Sequence, residues 1–210
     1  TAKAFADAGA EPEIFVIKNL TAKGIAESVE AFARKVKESQ IVFIPGGFSG
    51  GDEPDGSGKF ITVFFRSGAV KDEVNTLLKC RDGLLAGICN GFQAIIKLGL
   101  VPYGEIRTLA DSDPTLTFNT IGRHQSRLVR TRIASNMSPW LYECNVGDII
   151  NVPISHGEGK FLANDETTGT NKTMSQAISE LTSEHYANLT AMKASYTYDL
   201  LEVKSNTSIN

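Results

Sequence analysis

GLLAGICNGFQAIIKLG, residues 83–99, passes from apolar to small to amphipathic, with one cysteine at the break. The run Leu84-Leu85-Ala86-Gly87-Ile88 suits a buried strand, and Phe92, Ile95, Ile96 and Leu98 then recur at near-helical spacing. A strand, a tight turn at Gly87-x-Cys89-x-Gly91 and a helix make a nucleophile elbow. Glycine on both sides lets the backbone turn sharply without Cβ clashes. The helix would aim its first N–H groups and the positive end of its dipole at the sulfur, an environment that favours thiolate. A free cysteine is often only a small core residue. Here the paired glycines and the strand-to-helix switch favour a nucleophile.

At 210 residues the chain can hold one substantial α/β domain, or a domain and a tail. With 21 basic against 24 acidic residues the net charge is −3, which points to neither a nucleic-acid nor an anionic-membrane partner. No apolar run reaches the length of a membrane span, and the first residues, TAKAFADAGAEPEIF, do not resemble a signal peptide. Three scattered cysteines (Cys80, Cys89, Cys144) suit neither a disulfide framework nor a zinc site, so no metal is expected and a reducing cytoplasm fits best.

Outward from the elbow, the sequence predicts an α/β fold. Thr1–Gly9 reads as helix, Glu13–Lys18 as strand, and Thr21 as the cap of a helix that includes Ile25–Glu38. Ile41–Pro45 is a short apolar strand, Gly46–Lys59 a glycine-rich acidic loop, and Phe60–Cys80 one long helix. This β–α–β–α order predicts a doubly wound, mostly parallel sheet with flanking helices. From Leu116 the texture becomes alternating, with strands over Ser126–Ile133 and Ile149–Ile154 and a strand-like stretch around Cys144. After Phe161 the pattern fades, Ser175–Tyr198 being weakly helical at best. A domain over 1–164 is expected, with a divergent segment over 165–210 that could complete it.

Two glycine-rich stretches bear on chemistry. Gly58-Lys59 is not a phosphate loop, because Glu53 stands where that motif needs glycine and Phe60 where it needs a hydroxyl. PGGFSGGDE, residues 45–53, follows a buried strand, and its backbone N–H groups could face an oxyanion.

Three stretches together resemble the class I glutamine amidotransferase domains of the phosphoribosylformylglycinamidine synthases: IPGGFSGGDEPDGSGKF (44–60), GICNGFQAIIKLGLVPYGEI (87–106) and VPISHGEGKF (152–161). The resemblance implies a flavodoxin-like glutaminase. In such a domain Cys89 would attack the side-chain amide of glutamine, ammonia would leave, and a glutamyl thioester would be hydrolysed. The ammonia passes to a synthetase domain or subunit, which uses ATP and Mg to amidinate formylglycinamide ribonucleotide in purine biosynthesis. This domain itself would need no cofactor. The residues fit that chemistry: an amide is a poor electrophile, so a thiolate and a donor pair for the oxyanion are required. Cys89 supplies the first, and the N–H groups of Asn90 and of Gly47, in the Gly46-Gly47 turn, supply the second. Gln93, one helical turn past Cys89, would contact the α-substituents of glutamine.

The general base is the gap. The family takes it from an H-x-E-R stretch late in the domain, and the tail offers only Ser183-Glu184-His185. His156-Gly157-Glu158 has H-x-E spacing and is the stand-in pair, although that motif is separate from the triad in the family. The family's first strand also has no counterpart, since the chain opens in the helix that follows it. Two alternatives stay open: a catalytically incomplete amidotransferase-like docking module, and a PfpI-like cysteine hydrolase or redox sensor.

Overall fold

The computed structural model describes residues 1–47 and 58–163, so most of the glycine-rich acidic loop, the 165–210 segment and His185 lie outside the described residues. The fold is mixed α/β, with one pair of parallel strands packed among helices. Helix α1 covers Ala2–Asp7 and α2 covers Ala22–Glu38, where Thr21 accepts the Gly24 N–H at 3.0 Å as the expected cap. Strand β1 (Ile41–Ile44) pairs in parallel with β2 (Leu84–Gly87), and helices α3 (Lys59–Phe65), α4 (Gly68–Cys80) and α5 (Asn90–Lys97) complete this half.

The core follows from periodicity. Val70, Val74, Leu77 and Leu78 form one stripe of α4 and are fully buried, against Val36 of α2, Leu85 of β2 and Ile95 and Ile96 of α5. Each such side chain contributes about 1.5–3 kcal/mol on leaving water. Arg81, just past α4, donates to the Val36, Lys37 and Ser39 carbonyls and so caps the C-terminal end of α2.

The second half is built differently. Strand β3 (Thr115–Thr117) pairs antiparallel with β6 (Lys160–Leu162), and β4 (Gln125–Arg132) pairs antiparallel with β5 (Ile149–His156). Leu116 and Phe161 face each other across β3 and β6, and Phe161 also packs on a small cluster around Ile133 and Leu141.

Four expectations are corrected. The mostly parallel sheet is limited, among the described residues, to β1–β2, and the other strands pair antiparallel. The segments joining β3, β4, β5 and β6 contain only one short 3₁₀ turn, Pro139–Leu141, and no α-helix of the kind that usually carries a parallel crossover. Glu13–Lys18 forms no strand: Phe15 packs on Phe32 and Ile17 on the core, but Lys18 gives its N–H to Ser28 Oγ rather than to a ladder. Phe60–Cys80 is two helices, because extended backbone at Ser67 (ψ 138°) starts α4 anew while its hydroxyl donates to the Phe64 carbonyl. Cys144 lies in a turn and packs half-buried on the small cluster. Among the described residues no helix is long and apolar enough to cross a membrane.

Candidate active site

Cys89 sits between β2 and α5, with φ 57° and ψ −114°. A non-glycine residue in that region is strained, and the surrounding contacts must hold it there. They do so from both sides. Ile88 donates its N–H to the Ile44 carbonyl at 3.1 Å, and Gln93 donates to the Cys89 carbonyl at 3.0 Å, the first bond of α5. A Cβ on Gly87 would lie 2.7 Å from the Gly91 carbonyl, and one on Gly91 would lie 2.1 Å from the Ile44 oxygen. Both glycines are therefore dictated by close backbone packing, so the strand–turn–helix reading holds in detail.

Gly46 and Gly47 follow β1 as Cys89 follows β2, so both segments lie beyond the carboxyl ends of a parallel pair, where α/β folds place ligands. A Cβ on Gly46 would stand 2.8 Å from the Cys89 Cβ and 3.5 Å from its Sγ. Gly47 has φ 135°, which L side chains rarely adopt. The structure thus brings together Gly46, Cys89 and, through the first turn of α5, Asn90 and Gln93.

That turn continues into the 156–159 loop. Buried Asn90 donates from Nδ2 to Gln93 Oε1 at 3.5 Å. Gln93 Nε2 in turn donates to the Glu158 carbonyl at 3.2 Å and to its Oε2 at 3.3 Å. Gln93, expected to meet substrate, here has both ends of its amide engaged by protein.

His156 and Glu158, read as a base and its orienting carboxylate, point to different partners. The Glu158 carboxylate reaches Gln93, whereas His156 Nδ1 meets Asn119 Oδ1 at 3.0 Å. Burial, with the added positive charge of His124 and Arg127, holds the His156 imidazole below its usual titration range, so the folded chain favours its neutral form. His124 lies alongside, its Nε2 2.9 Å from Ser155 Oγ. Asn119 escaped the sequence reading. It stands in a polar turn between two strands, which marks a turn but says nothing about what it ties down. Among the described residues no group of three His, Cys, Asp or Glu could hold a metal ion.

The three cysteines test the elbow. Cys89 and Cys80 are both exposed, but Cys89 caps the N-terminus of α5 while Cys80 is the last residue of α4. The first position faces the free N–H groups and positive dipole end of a helix, and the second the negative dipole end of another. Cys89 is therefore expected to be alkylated by limiting iodoacetamide about 3-fold or more faster than Cys80, with half-buried Cys144 slowest. Peptide mapping that finds equal labelling at all three would show that the elbow does not activate its thiol.

A family model described as the CobB/CobQ-like glutamine amidotransferase domain matches residues 1–198. The phosphoribosylformylglycinamidine synthase subunit PurQ of Treponema denticola is 35% identical over 175 residues, covering 80% of this chain and 60% of that protein. The PurQ subunit of Methanococcus maripaludis is 33% identical over 172 residues, 80% of this chain and 56% of that one. The chain thus spans less than two thirds of the length of these relatives. A solved PurLQS structure from Thermotoga maritima aligns with a TM-score of 0.47 and 29% identity, over 61% of this chain and 53% of that one. With a strained cysteine elbow inside the matched span, the chain belongs to the CobB/CobQ-like glutamine amidotransferase domain family.

Proposed function

We propose that the chain is the glutaminase module of a phosphoribosylformylglycinamidine synthase, which supplies ammonia to a synthetase partner in purine biosynthesis. The observation that carries this reading is Cys89, held at φ 57° on a strand-to-helix turn in a chain of this family, whose curated relatives are PurQ subunits. We take β1–β2 as the centre of a doubly wound sheet and the cytoplasm as the compartment.

The residues divide the reaction as follows. Cys89 Sγ attacks the amide carbon of glutamine as thiolate, and the N–H groups of Gly47 and Asn90 receive the charge that develops on the oxygen, with Gly46 leaving room beside the sulfur. The C–N bond breaks, the nitrogen takes a proton and leaves as ammonia, and water hydrolyses the thioester to glutamate and free thiol. Gln93 orients the substrate once it exchanges a protein partner for glutamine. His156 and Glu158 are the stand-ins for proton transfer and its support. Because they are not paired with each other, turnover by this chain alone is expected to be slow, as general acid–base help is worth about 10²- to 10⁴-fold. This domain would need no cofactor, and ATP and Mg would act on the synthetase.

Glutamate release, measured with the chain alone and then with a formylglycinamide ribonucleotide synthetase, ATP and Mg, tests the reading. Slow release alone and clear stimulation by the synthetase are expected. A chain that binds the synthetase but releases no glutamate under either condition would instead be a docking module.

A further inference from the structure

Asn119 makes more ordered contacts than any role in a surface turn requires. Its backbone N–H donates to the Gly157 carbonyl at 2.8 Å. Its Nδ2 donates to two carbonyls, Arg123 at 3.0 Å and His156 at 2.9 Å. Its Oδ1 accepts the Gly159 N–H at 3.1 Å and lies 3.0 Å from His156 Nδ1. Both donors and both lone pairs of the amide are in use.

This set of partners fixes protons as well as positions. An asparagine amide can ordinarily be turned over, with oxygen and nitrogen exchanged. Here it cannot, because two carbonyls can only accept and the Gly159 N–H can only donate. The oxygen must therefore face the His156 ring, and an oxygen acceptor requires a proton on Nδ1. A neutral ring with hydrogen on Nδ1 carries its lone pair on Nε2. The same residue ties the β3–β4 connection to the β5–β6 connection, and that second loop reaches α5 through Glu158 and Gln93.

We propose that Asn119 is a positioning residue of this site. It holds the 156–159 loop against the first turn of α5 and fixes His156 as the Nδ1–H tautomer, leaving Nε2 as the ring's acceptor. Its bearing on catalysis rests on the glutaminase reading, whereas the tautomer can be read without any turnover.

The test is a long-range ¹⁵N–¹H correlation spectrum of the full chain labelled in histidine, recorded at neutral pH, with His156 assigned by its loss in His156→Gln. The wild type is expected to show Nδ1–H, and Asn119→Ala to shift His156 toward the Nε2–H form that free imidazole side chains prefer. Asn119→Asp keeps the acceptor for the ring but sets its second oxygen against the Arg123 and His156 carbonyls that Nδ2 held. It should therefore retain Nδ1–H on His156 while loosening the loop, and loss of Nδ1–H there would count against the proposal. A wild-type His156 protonated on Nε2, or an unchanged tautomer in Asn119→Ala, would overturn the proposal whether or not the chain hydrolyses glutamine. Should Asn119→Ala fail to fold, the wild-type and Asn119→Asp spectra decide alone.

Discussion

Cys89→Ala is expected to abolish glutamate release and covalent labelling by the electrophilic glutamine analogue diazo-oxo-norleucine, while leaving the fold intact. Loss of the nucleophile in a catalytic triad costs on the order of 10⁶-fold, which takes a slow enzyme to background. The fold should survive, because Cys89 is exposed and, among the described residues, lies outside the hydrophobic core. Its backbone gives a second, opposite signature. At φ 57° an alanine keeps the strain of the wild type, about 1–3 kcal/mol, whereas glycine relieves it at an entropic cost of about 0.5–1 kcal/mol. Cys89→Gly is therefore expected to be inactive yet about 1 kcal/mol more stable than Cys89→Ala in denaturant unfolding. A non-glycine position that glycine relaxes relative to alanine is one whose backbone is held under strain for the sake of the native side chain. Labelling that persists in Cys89→Ala would move the nucleophile to another residue, and Cys89→Gly less stable than Cys89→Ala would show that the strain is not there.

The elbow was legible because everything that makes it is local. The apolar run, the two glycines and the helical spacing of Ile95, Ile96 and Leu98 lie within one short stretch, and the backbone obeys them. Glu13–Lys18 misled because four successive apolar residues suit a strand, yet only Phe15 and Ile17 face inward, Ile14 and Val16 are exposed, and the run does not say whether a strand lies alongside to pair with. The break at Ser67 was hidden by apolar residues that keep helical spacing on both sides of it. The parallel sheet was over-extended from the first half, although the alternating texture after Leu116 already marked strands exposed on one face, which antiparallel pairing allows. At the site, the H-x-E spacing of His156 and Glu158 suggested a pair, yet the true partners are far away in sequence. His156 meets a residue 37 positions off and Glu158 one 65 positions off. Spacing along the chain informs about helices and turns. It is silent on contacts made when two loops from different strand pairs come together.

Gly91→Ala is the variant expected to damage the fold and the site together. The added Cβ would stand 2.1 Å from the Ile44 oxygen, 2.8 Å from its carbonyl carbon and 3.0 Å from its Cβ. Two of these are backbone atoms at the end of β1 that no rotamer change can move, and that oxygen already accepts the Ile88 N–H. Relief therefore requires α5 to draw back from β1, and α5 begins with Asn90 and carries Gln93, so the proposed oxyanion donor Asn90 and the proposed substrate contact Gln93 move with it. Over-packing of this kind costs about 1–3 kcal/mol, and a displacement of about 1 Å in a site can cost about 10²-fold in rate. The expected result is a melting temperature several degrees lower, with diazo-oxo-norleucine labelling slowed by about two orders of magnitude. Gly68→Ala is the matched control, since its Cβ would meet nothing within 4 Å at the first position of α4. Helix propensity should make that variant up to about 0.5–1 kcal/mol more stable, with labelling unchanged. If Gly91→Ala instead unfolds and labels as the wild type does, the helix is not packed on β1 as closely as the Ile44 oxygen requires. The glycine would then serve only the turn.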